Sequence, residues 1–164
     1  MDAMTSKQSI RILVGTQTGT AEMVAEEITD VLEAQGLEVE TYEMDDLGVD
    51  VFSCGFLYIL CSSTFGQGDV PDGAQGFYDA LRTQSPDLSA ISYGLFGLGD
   101  MTYADTFCGG PKRFKAEMDR LGAKLIGEPM WHDASSGELP EDDAPGWAET
   151  WIVALKEHFE KEQA

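Results

Sequence analysis

The sequence is poor in basic residues, and this scarcity excludes several classes of protein. Only 10 of its 164 residues are Lys or Arg, against 30 Asp or Glu, which gives a formal net charge of −20 at pH 7. Proteins that bind nucleic acid or anionic membranes take much of their affinity from Lys and Arg contacts with phosphate groups. We therefore expect neither nucleic acid nor a membrane among the partners of this chain.

Basic residues are scarcest in the first two thirds of the chain. The segment from Ile12 to Pro111 contains 17 acidic side chains and one basic side chain, Arg82. A ligand site in this segment cannot use a lysine or arginine clamp unless Arg82 supplies it. An anion bound there would be held mainly by backbone N–H groups and hydroxyls.

Cysteines and long apolar runs are also few. Cys54, Cys61 and Cys108 are an odd number without a C-x-x-C pair, which favours a reduced protein without a metal site. No apolar run approaches the roughly 20 residues of a membrane span, and residues 1–9 lack the apolar core of a signal peptide. We expect a cytoplasmic monomer with a flexible segment over residues 1–9 and a single domain over residues 10–162.

Short apolar runs alternate with helical patterns along the chain, which predicts a doubly wound α/β fold around a parallel sheet. The five predicted strands cover residues 10–15, 37–42, 56–61, 93–98 and 124–130. The predicted helices begin at Thr20, near Ala74, at Lys112 and just before Pro145, which is placed in the first turn of the last helix. In such folds, ligands bind at the carboxyl edge, the edge of the sheet at which the parallel strands end.

The loop after the first predicted strand has the composition of an anion site. It reads Thr16, Gln17, Thr18, Gly19, Thr20, Ala21 and leads into a helix N-terminus. Hydroxyls, an amide and helix N–H groups, without a lysine, suit one phosphate monoester better than a triphosphate with Mg²⁺. The alternative is that these Thr and Gly residues only cap the helix.

Two aromatic residues follow the third and fourth predicted strands. Phe65 stands beside glycines, and it could cover a flat ligand or pack into the core. Tyr103 lies beyond Gly97-x-Gly99, which lacks the third glycine of a dinucleotide fingerprint. Two aromatic rings beside a monophosphate site would enclose a planar phosphorylated ring, and flavin mononucleotide (FMN) fits that description.

Together, these loops resemble those of the flavodoxin-like FMN-binding family, which includes short-chain flavodoxins and the FMN domain of diflavin reductases. The resemblance runs from Ile10 to Phe159 and implies a five-stranded parallel sheet in the order 2-1-3-4-5, with helices on both faces. The residues that it implies for FMN binding are Thr16, Gln17, Thr18, Gly19, Thr20, Ala21, Ser63, Thr64, Phe65, Gly66, Leu98, Gly99, Asp100, Tyr103, Phe107, Cys108 and Asp133.

The resemblance also implies roles within this set. The first loop would bind the FMN phosphate, Phe65 would flank the flavin ring, and Tyr103 would stack on it. Gly66 is the candidate for a backbone change linked to flavin reduction, and Asp133 would be an acid beside the cofactor. No residue is implied to be catalytic.

The function implied is that of an electron carrier, not an enzyme, which passes electrons from an NAD(P)H-dependent reductase to an acceptor protein. Acidic residues at the carboxyl edge would attract an acceptor with a basic docking face and lower the potential of the last flavin reduction. They are Asp69, Asp72, Asp100, Asp105, Asp133, Glu138, Glu141, Asp142 and Asp143. The alternative is a flavin-dependent NAD(P)H:quinone reductase on the same fold, although no basic cluster near the site would hold an NADPH 2′-phosphate.

Four further side chains carry expectations. His132 is predicted to be a solvated loop residue, and Trp147 and Trp151, one helical turn apart, are expected to pack in the core. The acidic surroundings of Cys108 oppose the low pKa that a thiol nucleophile needs.

A phospho-acceptor receiver domain is excluded, because its acidic residues are missing at the ends of the first and third predicted strands.

Overall fold

A computed structural model of the chain describes residues 9–16, 19–45, 47–53, 55–65, 68–100 and 107–163, with side chains to residue 160. Six strands and four α-helices lie within these ranges. The strands are β1 (Ser9–Gly15), β2 (Glu38–Glu43), β3 (Phe56–Ser62), β4 (Ser92–Gly99), β5 (Lys124–Leu125) and β6 (Met130–Asp133). The helices are α1 (Thr20–Ala34), α2 (Gln75–Gln84), α3 (Gly109–Arg120) and α4 (Pro140–Gln163). Among the helices in this part of the chain, none has the length and apolarity to cross a membrane.

The sheet has the strand order β2-β1-β3-β4-β5, and its neighbouring strands are parallel. β6 also pairs in parallel with β4, so β5 and β6 share the fifth position of the sheet. This order confirms the predicted doubly wound fold. Because the order reverses between β1 and β3, the loops after β1, β3, β4 and β6 meet at the carboxyl edge.

The last predicted strand, over residues 124–130, has the wrong bounds. Gly127 interrupts it with a left-handed backbone (φ 71°), and Pro129 has no N–H to donate to a neighbouring strand. Pairing resumes at Met130 and continues to Asp133, which lies opposite Gly99 of β4. The strand therefore reaches three residues closer to the carboxyl edge than predicted.

The last helix begins at Pro140, so the placement of Pro145 in its first turn is wrong. Proline suits the first helical position because its φ is already helical and the missing N–H has no partner there. Pro140 and Pro145 both lie near the start of this helix, and only Pro145 was predicted to lie in its first turn. The acidic residues Glu141, Asp142 and Asp143 favour the earlier one, because they complement the positive end of the helix dipole.

Each face of the sheet is covered by a pair of helices. α1 and α4 bury an apolar cluster on one face, and α2 and α3 bury a second cluster on the other. In α1, Val24, Ile28 and Leu32 recur every four residues and form the buried stripe. Trp147 and Trp151 pack in the first cluster with 7% and 1% exposure, which confirms their structural role.

Candidate functional site

The first loop places a helix N-terminus at the carboxyl edge. Gly19 precedes α1 with φ 90°, a conformation that favours glycine, and no side-chain hydrogen bond caps this helix in the described part of the chain. The N–H of Gly19 donates to the hydroxyl of Thr16 at 2.8 Å, so the loop turns back tightly toward β1. Thr20 begins α1, and the buried Ala21 offers only its backbone to a ligand. Gln17 and Thr18 lie outside the described residues.

Negative charge lies beside this loop. A cavity of about 140 Å³ adjoins Thr16 and is lined in part by Glu22, Glu43 and Asp45. A hydrogen bond between the two glutamates and repulsion from Glu22 raise the pKa of Glu43 above its usual value. An anion in the first loop would thus be held by dipoles and hydroxyls against nearby carboxylates.

The second loop forms a tight hairpin after β3. Phe65 and Asp69 exchange two backbone hydrogen bonds, each 2.8 Å long. Phe65 is 38% exposed, so the alternative in which it packs into the core is wrong. Asp69 pairs with Arg113 of α3 at 3.0 Å. Gly66, the residue implied to respond to reduction, lies outside the described residues.

Thr64 connects this hairpin to two other segments. Its hydroxyl donates to the carbonyl of Leu98 at 2.8 Å and accepts from the N–H of Gly110 at 3.3 Å. Ser63, next to it, is buried and donates its N–H to the carbonyl of Gly15 at 2.8 Å. The ends of β1, β3 and β4 are therefore joined through two consecutive residues.

The third loop is described at its two ends, and these ends touch. Leu98 and Gly99 complete β4, and Asp100 follows them. A Cβ on Gly99 would lie only 2.5 Å from the backbone nitrogen of Cys108, so this contact requires glycine. Tyr103, implied to stack on the flavin, and Asp105 lie outside the described residues.

Lys112 lies near the carboxyl edge, a position that the sequence did not indicate. The ammonium of Lys112 lies 5.4 Å from the ring centre of Phe107 and 5.6 Å from that of Trp131. Such distances are typical of cation–π contacts. The helical spacing located Lys112 on α3, but no local pattern indicated that the first turn of α3 would face β6.

Cys108 is a buried thiol at the start of α3. It is fully buried, its backbone is left-handed (φ 52°), and its Sγ lies 3.9 Å from the carbonyl oxygen of His132. Burial raises its pKa to about 12, with a smaller increase from Asp133 and a decrease from Lys112. The pKa of Cys108 is raised, as expected for an unreactive thiol, although burial raises it more than the acidic surroundings do.

The prediction of a solvated His132 is wrong. This residue lies in β6, only 4% exposed, and its Nδ1 is 2.8 Å from a carboxylate oxygen of Asp143 in α4. Its Nε2 is buried without a hydrogen-bond partner in the described part of the chain. The neighbouring Asp133 ends β6 and accepts hydrogen bonds from the N–H and hydroxyl of Ser135 at 2.9 and 2.7 Å.

The groups at the carboxyl edge suit a ligand with a phosphate and a planar ring. The carboxyl edge combines the N-terminus of α1, at which no described side chain forms a cap, with hydroxyls and the exposed Phe65. Glycines at this edge leave no room for side chains. The predicted site residues that the structure describes at this edge are Thr16, Gly19, Thr20, Ala21, Ser63, Thr64, Phe65, Leu98, Gly99, Asp100, Phe107, Cys108 and Asp133. A doubly wound parallel sheet with such an edge defines the class of mononucleotide-binding α/β proteins.

Comparison with known proteins identifies the family within this class. The flavodoxin family model matches residues 12–149, and the chain belongs to the flavodoxin family. Proteins of this family bind FMN and are electron carriers rather than enzymes.

Two relatives from Escherichia coli (strain K12) resemble the chain over nearly their whole length. Protein MioC is 40% identical over 147 residues, which cover 90% of this chain and 98% of that protein. Flavodoxin YqcA is 39% identical over 147 residues, which cover 89% of this chain and 97% of that protein. A solved structure of a flavodoxin from Pseudomonas aeruginosa has a TM-score of 0.77 and 34% identity, covering 91% of this chain and 99% of that one.

Proposed function

We propose that this flavodoxin-family protein carries electrons from an NAD(P)H-dependent reductase to an acceptor protein with a basic face. We further propose that FMN binds at the carboxyl edge through the residues named for it in the sequence analysis. The observation that carries the FMN site is the first loop, where Thr16 and Gly19 open the N-terminus of α1 without a basic side chain. An exposed Phe65 and the described ends of the third loop lie at the same edge. The electron-carrier role is supported by membership of the flavodoxin family.

FMN, when bound, supplies the redox chemistry, and the chain sets its position and exposure. Backbone N–H groups of the first turn of α1 and the hydroxyls of Thr16 and Thr20 would hold the phosphate. Phe65 would cover the ring and limit its contact with water. Asp133, fixed by Ser135, would place a negative charge beside the ring and oppose additional negative charge on it.

The first test is FMN binding itself. The purified protein should be yellow and should contain about one FMN per chain, whereas a protein that takes up no FMN would contradict the proposal. Thr16→Val removes the hydroxyl that accepts from Gly19, and we expect it to weaken FMN binding about 10-fold. Riboflavin, which lacks the phosphate, should bind equally to both proteins. Thr41→Val, on the exposed face of β2, is the matched control.

Partner recognition is proposed to use only part of the acidic carboxyl edge. Asp69 is paired with Arg113, which partly compensates its charge, and a carboxylate oxygen of Asp143 is occupied by its contact with His132. Glu138 and Asp142 are exposed, just before and within the first turn of α4. These two residues would attract a basic partner from solution, with a rate that falls as salt rises.

This docking proposal is tested by neutralising two charges at a time. Electron transfer from the reduced protein to cytochrome c, a basic protein, should slow and lose salt dependence in Glu138→Gln with Asp142→Asn. The control pair is Asp30→Asn with Glu33→Gln, which removes two exposed charges from the far half of α1. Equal effects of the two pairs would show that net charge alone matters. Rapid flavin reduction by NAD(P)H without a reductase would instead favour the quinone reductase.

A further inference from the structure

We infer that the hydroxyl of Thr64 is a positioning group that joins the 65–69 hairpin to the end of β4 and the start of α3. The three segments would then bind FMN as one preformed unit. This inference rests on the proposed FMN site, which includes Thr64 as a binding residue. It adds a role that is exerted through the neighbouring segments.

The Thr64 hydroxyl satisfies one group on each of two other segments. It donates to the Leu98 carbonyl, 34 residues away in sequence, and accepts from the Gly110 N–H, 46 residues away. The carbonyl belongs to the penultimate residue of β4, and the N–H belongs to the first turn of α3, where no intrahelical acceptor exists. A hydroxyl has one hydrogen to donate, and this one is committed to Leu98.

Two glycines let α3 rest directly on the backbone of the hairpin. A Cβ on Gly109 would lie 2.5 Å from the carbonyl oxygen of Gly68. A Cβ on Gly110 would lie 2.5 Å from the carbonyl oxygen of Ser63 and 2.9 Å from that of Asp69. The first turn of α3 thus contacts the residues just before the hairpin and the second strand of the hairpin, and the hydroxyl bond lies within this contact.

The hairpin is expected to depend on such outside contacts because its described residues pair with each other at few positions. Its described backbone pairing consists of two hydrogen bonds between Phe65 and Asp69. Isolated two-stranded hairpins are marginally stable in water. The Asp69–Arg113 ion pair that also links it to α3 is about half exposed, and exposed pairs contribute little. The partly buried hydrogen bonds of Thr64 are therefore the contacts expected to keep the hairpin closed before FMN arrives.

A hairpin that opens more often must be closed again when FMN binds, and this cost lowers affinity. We expect Thr64→Val, which keeps the side-chain shape, to speed amide hydrogen exchange at Phe65 and Asp69 about 5- to 10-fold in the FMN-free protein. FMN affinity should fall by a similar factor. Thr64→Ser keeps the hydroxyl and should restore both properties to within about 2-fold.

The matched control is Thr29→Val in α1. Thr29 also donates its hydroxyl to a backbone carbonyl at 2.8 Å, that of Ala25, and it is also partly buried. This variant should leave hairpin exchange and FMN affinity unchanged. Exchange of the amides in β3 reports global unfolding and separates a local opening from a general loss of stability.

The outcomes distinguish this inference from the proposed function. A wild-type protein that does not bind FMN would refute the function. Wild-type FMN binding together with unchanged hairpin exchange in Thr64→Val would refute only the role of the hydroxyl. Equal losses in Thr64→Val and Thr64→Ser would also overturn it, because the hydroxyl would then not be the group responsible.

Discussion

Replacing Gly110 by alanine tests how closely α3 and the second loop must approach. The added Cβ would lie 2.5 Å from the carbonyl oxygen of Ser63, 2.9 Å from that of Asp69 and 3.2 Å from the Cα of Thr64. These neighbours are backbone atoms, which cannot rotate away as a flexible side chain can. To lengthen the shortest contact to 3.0 Å, the two segments must separate by about 0.5 Å.

The cost of this separation follows from two opposing effects. Overpacking a well-packed region costs about 1–3 kcal/mol, whereas alanine in place of a helical glycine recovers up to about 1 kcal/mol. The hydrogen bond from the Gly110 N–H to Thr64 is already 3.3 Å long and would be lost on separation. We expect a net loss of about 1–2 kcal/mol in the free energy of unfolding, or a melting temperature lower by about 2–8 °C.

Urea denaturation of the FMN-free protein, followed by far-ultraviolet circular dichroism, measures this loss. The control is Gly146→Ala in α4, where the added Cβ would meet no described atom within 4 Å apart from its chain neighbours and the nearby backbone of its own helix. That substitution should stabilise the protein by about 0.5–1 kcal/mol. A Gly110→Ala protein as stable as the wild type, beside a Gly146→Ala protein that behaves as expected, would show that the two segments separate without cost.

Four further predictions concern the thiol, the buried histidine and the charge of the protein. Because burial raises the pKa of Cys108 to about 12, native protein should resist alkylation of this thiol at about pH 8, as peptide mapping would show. The unfolded thiol ionises near its usual pKa of 9.0, so stability should fall as pH rises from about 9 to 12, and less steeply in Cys108→Ala. A double-mutant cycle of His132→Ala and Asp143→Ala should give a coupling energy of about 1–2 kcal/mol in urea denaturation, whereas additive losses would contradict a direct bond. FMN affinity, measured by fluorescence titration, should rise about 2- to 5-fold with added salt, because salt screens the repulsion between the acidic chain and the FMN phosphate. A fall in affinity would contradict a phosphate site that lacks basic side chains.

The strands and helices could be predicted where the burial of their side chains produces a local pattern in the sequence. The apolar run of β3 and the four-residue spacing of Val24, Ile28 and Leu32 express burial directly. The failures arose where pairing is non-local. β6 is a strand because it pairs with β4 more than 30 residues earlier, and no local pattern shows that His132 enters this pairing and becomes buried.

The same distinction applies to the site. Loop composition predicted an anion cradle, because the hydroxyls and glycines of the first loop are consecutive in sequence. The contacts of Thr64 span 34 and 46 residues, and the approach of Gly110 to Ser63 depends on the fold of β4 and α3. Sequence therefore indicated which loops meet, whereas the structure was needed to show which atoms join them.

The acidic carboxyl edge illustrates why a charge count is a poor measure of function. Three of its nine acidic residues, Glu141, Asp142 and Asp143, lie in the first turn of α4, where the helix dipole already favours negative charge. Asp143 also holds His132, and Asp69 pairs with Arg113 beside the hairpin. Such residues would be retained for folding even if no basic partner existed. A net charge of −20 therefore disfavours polyanionic ligands, but the strength of partner attraction must come from those carboxylates that face solvent without a compensating cation.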